Sequence, residues 1–264
     1  MTHAAETFRK LHEREGAFII PNPWDVGSSR ILARMGFEAL ATTSAGMDFA
    51  HGRREGGAPR DMVLAHCREI VGATPLPVSG DFENGFGDDP DTCAETVHLA
   101  AEAGLAGISI EDTALPGSGA YAFDLAVERI AAAVAAARAL PRDFVLVARA
   151  DGILQGSYDT DEALRRLKAF EAAGADCLYA PLPPSFEDLE RICRETTAPV
   201  NALVSGPFAS YTREDFARIG VARLSLGGSL ARVTHRALIE AAEEMLEEGS
   251  FSLLKNSVSG AKGD

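Results

Sequence analysis

The strongest constraint on this chain is a regular alternation. Short apolar runs begin near residues 18 (AFIIP), 38 (EALATT), 77 (PVSGD), 106 (AGISIE), 144 (FVLVAR), 176 (DCLYAP), 199 (PVNALV) and 222 (ARLSLG). Most lack the in–out pattern of a half-exposed strand, as expected of parallel strands covered on both faces. Longer helical patterns separate them, starting at Asp61, Asp91, Asp124, Asp159-Thr160-Asp161, Ser185 and Thr212. Acidic residues in the first turn suit helix caps and the helix dipole.

A weak internal repeat carries the same message. ARMGFEALA, AEAGLAGISIE, EAAGADCLYAP and ARIGVARLSLG each read as helix end, glycine, turn and strand. Gly36, Gly104, Gly174 and Gly220 are therefore expected to end helices in a left-handed conformation. Eight such units predict one (β/α)₈ TIM-type barrel over residues 1–249, with 250–264 as a tail that is an arm or a disordered end. A doubly wound sheet fits less well, because PNPWDVGSS after the first strand is not GxGxxG.

Composition removes other classes. The 264 residues carry 25 basic and 39 acidic side chains, a formal charge of −14, so no basic surface for nucleic acid or an anionic membrane is expected. MTHAAETFRKLHEREG is too polar for a signal peptide, and no run approaches a membrane span. Cys67, Cys93, Cys177 and Cys193 form no CxxC or zinc-like spacing and read as buried free thiols of a cytoplasmic protein.

Chemistry in such a barrel sits at the C-terminal strand ends. There the sequence places Asn22, Thr42-Thr43-Ser44-Ala45-Gly46, Asp81-Phe82-Glu83, Glu111-Asp112, Arg149 with Asp151, Asn201 and Ser205, and Ser225 before Gly227-Gly228-Ser229. Asp81, Glu83 and Glu111 fall on two neighbouring strands. Converging like charges need a cation or a proton, and all-oxygen ligands suit Mg²⁺, with Mn²⁺ as a substitute. Acidic strand ends also serve as caps or ion-pair partners. Arg149 can hold a carboxylate and stabilise an enolate. The Ser44-Ala45-Gly46 turn and Asn201 complete a substrate-binding set, and the Gly227-Gly228-Ser229 turn can bind phosphate.

The lysine count also decides something. Of the four lysines, Lys168 lies in a helix, Lys10 precedes the barrel, and Lys255 and Lys262 lie in the tail, which excludes imine chemistry. Of the histidines only His51 falls near the mouth, as a candidate general base. GxSxG is absent.

The ordered set TTSAG, GDFENGFG, SIEDTALPG, VARADG and RLSLGGSLAR, from about Phe18 to His235, resembles the isocitrate lyase/phosphoenolpyruvate mutase superfamily, and most closely its short bacterial phosphonomutase-like branch. The resemblance implies a barrel whose C-terminal helix is exchanged between subunits of a homodimer or homotetramer. It also implies Mg²⁺ and a small α-oxocarboxylate substrate, and C–C or P–C bond chemistry through an enolate. By motif match Asp81 is the direct metal ligand, Glu83 and Glu111 hold metal-bound waters, and Ser44, Ala45, Gly46 and Arg149 bind the oxoacid.

The departures are equally specific. The lyases' Cys-bearing basic segment falls on Gly117-Ser118-Gly119-Ala120-Tyr121, which has no Cys, His or basic residue, and 113–123 lacks the mutases' Lys. Tyr121 is the candidate replacement acid, in a lid made flexible by Gly117 and Gly119. Glu55 falls where the family usually has Asp. The expectation is a Mg²⁺-dependent lyase or decarboxylase acting on a small α-oxo or 2-hydroxy di- or tricarboxylate, with P–C bond chemistry on phosphonopyruvate or a non-catalytic oxoacid-binding protein as alternatives.

Overall fold

The computed structural model describes residues 2–115 and 117–258. Eight parallel strands, β1 (Phe18–Ile20), β2 (Leu40–Ala41), β3 (Val78–Asp81), β4 (Gly107–Glu111), β5 (Val145–Arg149), β6 (Cys177–Tyr179), β7 (Val200–Leu203) and β8 (Val221–Ser225), follow one another in the order β1-β8-β7-β6-β5-β4-β3-β2. The remaining seam, between β1 and β2, is drawn together where the Ala41 N–H donates to the Pro21 carbonyl at 3.0 Å. The sheet is thus a nearly closed (β/α)₈ barrel, as the alternation predicts.

Helices α1 (Thr2–Glu13), α2 (Val26–Arg34), α3 (Ser44–Ala50), α4 (Arg60–Ala73), α5 (Pro90–Glu102), α6 (Phe123–Ala139), α7 (Thr160–Ala172), α8 (Phe186–Glu195), α9 (Arg213–Arg218) and α10 (Ser229–Glu247) precede or connect the strands. Asp25, Asp159, Ser185 and Thr212 cap α2, α7, α8 and α9 by accepting backbone N–H bonds. Asp91 lies in the first turn of α5, whose cap is Asp89. Gly36, Gly104, Gly174 and Gly220 all have φ between +92° and +98°, the left-handed exit that the repeat implies.

Burial on both strand faces divides the core in two. Leu40, Val78, Ile108, Ile110, Leu146, Ala148, Leu178, Val200 and Leu224 face outward into the helix layer. Phe18, Ile20, Ala41, Val145, Val147, Cys177 and Tyr179 fill the interior, where Ala5, Phe8 and Leu11 of α1 join them. Arg9 anchors α1 to the N-terminal strand ends through Asp143, Asp176 and the Phe144 carbonyl. One end of the barrel is therefore plugged, which leaves the C-terminal mouth for a site. All four cysteines are free, and Cys67, Cys93 and Cys177 are buried.

At the other end α10 buries only Ala231 in the single chain. Val233, Leu238, Ile239 and Leu246 remain exposed, Leu246 at 87%. The chain beyond it is more ordered than a loose tail. The Glu244 carboxylate accepts from the Ser250 hydroxyl, the Ser252 hydroxyl and the Ser252 and Leu253 amides, which leads into a turn over Ser252–Asn256. Residues 259–264 lie outside the described part. Among the described residues no helix is long and apolar enough to cross a membrane.

Candidate active site

Alternation along the strands turns Asp81, Glu111 and Arg149 inward while Ile110 and Ala148 pack outward. Glu111 and Arg149 are directly paired across β4 and β5. The Arg149 guanidinium then becomes the hub of the mouth. Its Nη1 lies 2.9 Å from Asp81 Oδ1, and Nη2 lies 3.2 Å from Glu111 Oε2 and 2.7 Å from Asp151 Oδ1. Burial opposes its charge, but Asp151, Glu111 and Asp81 outweigh burial and hold it firmly protonated.

One cation among three carboxylates leaves the cluster acidic, and the acids show it. Burial, then Asp151, raises the Glu111 carboxyl well above the usual range, although Thr113 donates to it. Asp151 is raised by burial as well. Glu83 is pushed up to about 7 by burial, then by Asp81, Asp48 and Glu55. Its backbone is left-handed (φ 48°), and its buried Oε1 finds no hydrogen-bond partner. Such a set of acid oxygens, one without a partner, has the donor chemistry of a hard divalent cation. In the described conformation Arg149 stands between Asp81 and Glu111, and no group of three or more His, Cys, Asp and Glu among the described residues converges on one metal position.

A second layer holds this hub. Asp112 accepts the Asp151 N–H at 2.7 Å, the Tyr158 hydroxyl at 2.8 Å and Arg166 Nη1 at 2.9 Å. It thereby fixes the loop that carries Asp151 against Arg149. On the opposite side Ser44 donates its N–H (3.1 Å) and hydroxyl (3.0 Å) to Asp81 Oδ2. Thr43 caps α3 by accepting the Gly46 N–H. A side chain at Gly46 would lie 2.6 Å from Thr43 Cγ2 and 2.9 Å from Trp24 Cβ, so only glycine fits this turn. Asn22 clamps the last turn by accepting from the Leu226 and Gly227 amides while donating to the Thr42 carbonyl.

These elements enclose a cavity of about 290 Å³ at the C-terminal mouth. Ala45, Asp81, Arg149 and the Gly227-Gly228-Ser229 turn line it, together with Glu55 and Arg232. Glu111 and Glu83 lie behind that lining. Ser44 and Gly46 serve Asp81 and the α3 cap rather than facing the cavity. Asn201 is buried beside it and gives its amide N–H to Ser225 Oγ at 2.9 Å. No lysine lines the cavity. His51 does not line it either; its Nδ1 is engaged with the Met47 carbonyl.

Tyr121 differs most from expectation. It is buried and outside the cavity lining, with its hydroxyl donating to Asp88 (2.6 Å) and accepting from Asn84 (2.9 Å). Its ring packs under Arg129, and burial followed by Asp88 pushes the phenol up to about 12. The flanking loop is tied back by the Ala114–Gly119 and Tyr121–Asp112 backbone bonds. In the described conformation the Tyr121 hydroxyl is held by Asp88 and Asn84 and does not face the cavity. Asp48 was not among the sequence candidates: it is fully buried and both its carboxylate oxygens lack a partner. Its signal in the sequence is a lone acid one helical turn after Ser44.

A family model described as phosphoenolpyruvate phosphomutase matches residues 8–246. The chain belongs to that family. This phosphoenolpyruvate phosphomutase-family chain is 48% identical to a lyase/mutase candidate from Burkholderia cenocepacia J2315, whose crystal structure superposes with a TM-score of 0.95 over 99% of this chain and 94% of that one. It is 30% identical over 261 residues to the oxaloacetate decarboxylase of Paraburkholderia xenovorans (strain LB400), which covers 93% of this chain and 83% of the relative. It is also 30% identical over 199 residues to the 2,3-dimethylmalate lyase of Eubacterium barkeri, covering 72% of this chain and 67% of the relative. The family chain thus sits in the isocitrate lyase/phosphoenolpyruvate mutase superfamily, as its motifs imply.

The strained acids make stability pH-dependent. Glu83 binds its proton more tightly folded than unfolded, so its contribution is favourable in acid and is lost as pH rises through about 7. In metal-free protein, Glu83→Gln should raise stability by about 1–3 kcal/mol at pH 8 and far less at pH 5. Urea unfolding at both pH values measures this, and a gain that does not vary with pH would contradict it.

Proposed function

We propose that this chain is a Mg²⁺-dependent lyase or decarboxylase that cleaves a C–C bond in a small α-oxo or 2-hydroxy carboxylate through an enolate. The observation that carries the reading is the Arg149 hub, with its three carboxylates at the mouth of a cavity sized for a small molecule. The fold class and the similarity to a decarboxylase and a lyase support the reaction type.

Asp81, Glu83 and Glu111 would hold the cation, Asp81 directly and the other two through water. When bound, the ion would supply Lewis-acid polarisation of the oxo and carboxylate oxygens. The chain's own groups do the rest. Ala45 and Arg149 line the cavity where the oxoacid head fits, and Ser44 orients Asp81 there. When the bond between the carbon next to the oxo group and a distal carboxylate breaks, CO₂ leaves without the bonding pair, which forms the C=C bond of an enolate as the carbonyl π pair moves onto the oxo oxygen. The Arg149 guanidinium, held in place by Asp151, lines the cavity, where its positive charge would stabilise the enolate oxygen. The enolate carbon must then take a proton. Glu55, exposed at the rim, is the one carboxyl besides Asp81 that lines the cavity, so it is the group placed to supply one.

P–C bond chemistry is a second reading. It is favoured by Arg232 and the Gly228–Ser229 start of α10 at the cavity wall, which offer a cation and backbone N–H groups to a phosphonate. The exposed apolar side chains of α10 support a homo-oligomer in which a second copy covers them. Sedimentation of the full chain should give a dimer or tetramer, and a monomer would contradict this.

Activity is tested with oxaloacetate, methylisocitrate, a dimethylmalate and phosphonopyruvate in the presence of Mg²⁺, with coupled pyruvate detection. Turnover of one C–C substrate, lost by about a hundredfold or more in Asp81→Ala, is expected. Tight oxoacid binding without turnover would make the protein a binder and not an enzyme.

A further inference from the structure

The middle of the barrel holds a charge that nothing in the protein answers. Arg223 lies on β8, two residues before Ser225, and points into the barrel with only 4% of its surface exposed. Nε and Nη1 find no hydrogen-bond partner, and Nη2 meets only Ser79 Oγ at 3.5 Å, the outer limit of a hydrogen bond. No carboxylate forms an ion pair with it among the described residues. The Phe8 ring, centred 5.7 Å from the guanidinium carbon, gives a weak cation–π contact.

The titratable neighbours supply no countercharge. His12 stays neutral down to about pH 3, through burial and then the charge of Arg223 itself. Cys177 and Tyr179 stay neutral because burial pushes both up to about 12. Arg149 repels Arg223, and the oxygens of Asp81 are already taken by Arg149 and Ser44. Arginine does not shed its proton in proteins. A buried unpaired charge is costly, so its presence calls for something that neutralises it.

The cavity supplies the route. Arg223 lines the same space as Arg149, and Ala41, Ser79, Ser109 and Ser225 line it between mouth and floor. Barrel interiors usually pack bulky branched residues at such positions. Small ones leave a shaft. Asn201, the cross-strand partner of Arg223, also leaves its buried Oδ1 without a donor. A carboxylate with one bridging water would answer both residues.

We propose that Arg223 is a second anion-recognition point at the cavity floor, which takes the distal carboxylate of a dicarboxylate whose oxoacid head sits at Arg149. The inference rests on the oxoacid reading above and assigns a residue, Arg223, to the second acidic end of the substrate. A monocarboxylate would leave Arg223 unanswered.

The test compares length-matched acids by calorimetry on the full chain with Mg²⁺: oxaloacetate against 2-oxobutyrate, and 2-oxoglutarate against 2-oxovalerate. The native protein should bind at least one diacid about tenfold or more tighter than its monoacid partner. Arg223→Met should lose that preference while its monoacid affinity changes by less than about twofold, and Arg223→Lys should keep part of it. Without ligand, Arg223→Met should melt no lower than the native protein, because it removes an unpaired charge. A diacid preference that survives Arg223→Met, or in its place Arg223→Gln, would overturn the inference. Failure of both variants to fold would make Arg223 a structural residue and overturn it too. Monoacid binding with no diacid preference in the native protein sinks this inference alone, whereas no binding of any oxoacid sinks the oxoacid reading with it.

Discussion

One guanidinium makes the mouth of this barrel possible. Asp81, Glu111 and Asp151 come from three successive strand ends, and without Arg149 they would face one another in a dry space. Two like charges about 4 Å apart cost about 4 kcal/mol at an effective dielectric constant of 20. Arg149 contacts all three, and the Asp112–Arg166–Tyr158 group keeps the Asp151 loop against it. The balance still favours negative charge, and the upward shifts of Glu83, Glu111 and Asp151 are its imprint. A site in this condition gains by taking up a cation. An anionic substrate can then enter an acidic protein.

Much of this was legible from residue order because parallel strands buried on both faces leave apolar runs, and their ends expose whatever polar residue comes next. Asp81, Glu111 and Arg149 were found that way, and the structure joins them. What residue order does not reveal depends on contacts between distant segments. Tyr121 reads as a free acid in a glycine-containing loop, until Asn84 and Asp88 from the loop after β3 arrive to hold its hydroxyl. Ser44 and Gly46 read as direct substrate contacts, yet their groups are engaged with Asp81 and Thr43. Neither interaction leaves a local pattern.

Two further signals lie in the sequence itself. Arg223 breaks the apolar run of β8 on the same face as Ser225, and a charge inside a strand that should be buried is anomalous. Asp48 follows Ser44 by one turn of a short helix, which directs it toward the acid cluster, where it raises Glu83. The Arg149 hub lies at the mouth of the cavity, and the unpartnered charge of Arg223 lies at its floor.

The central claim is that Asp81, Glu83 and Glu111 form a cation site that binds an oxoacid together with Arg149. The most direct measurement is anomalous diffraction from crystals grown with Mn²⁺ and oxalate. The account predicts one manganese peak bounded by those three carboxylates, with oxalate beside Arg149 and the Ala45 turn, and with the Arg149–Glu111 contact opened. Oxalate bound at Arg149 with no manganese among the acids, or manganese bound elsewhere in the chain, would contradict it.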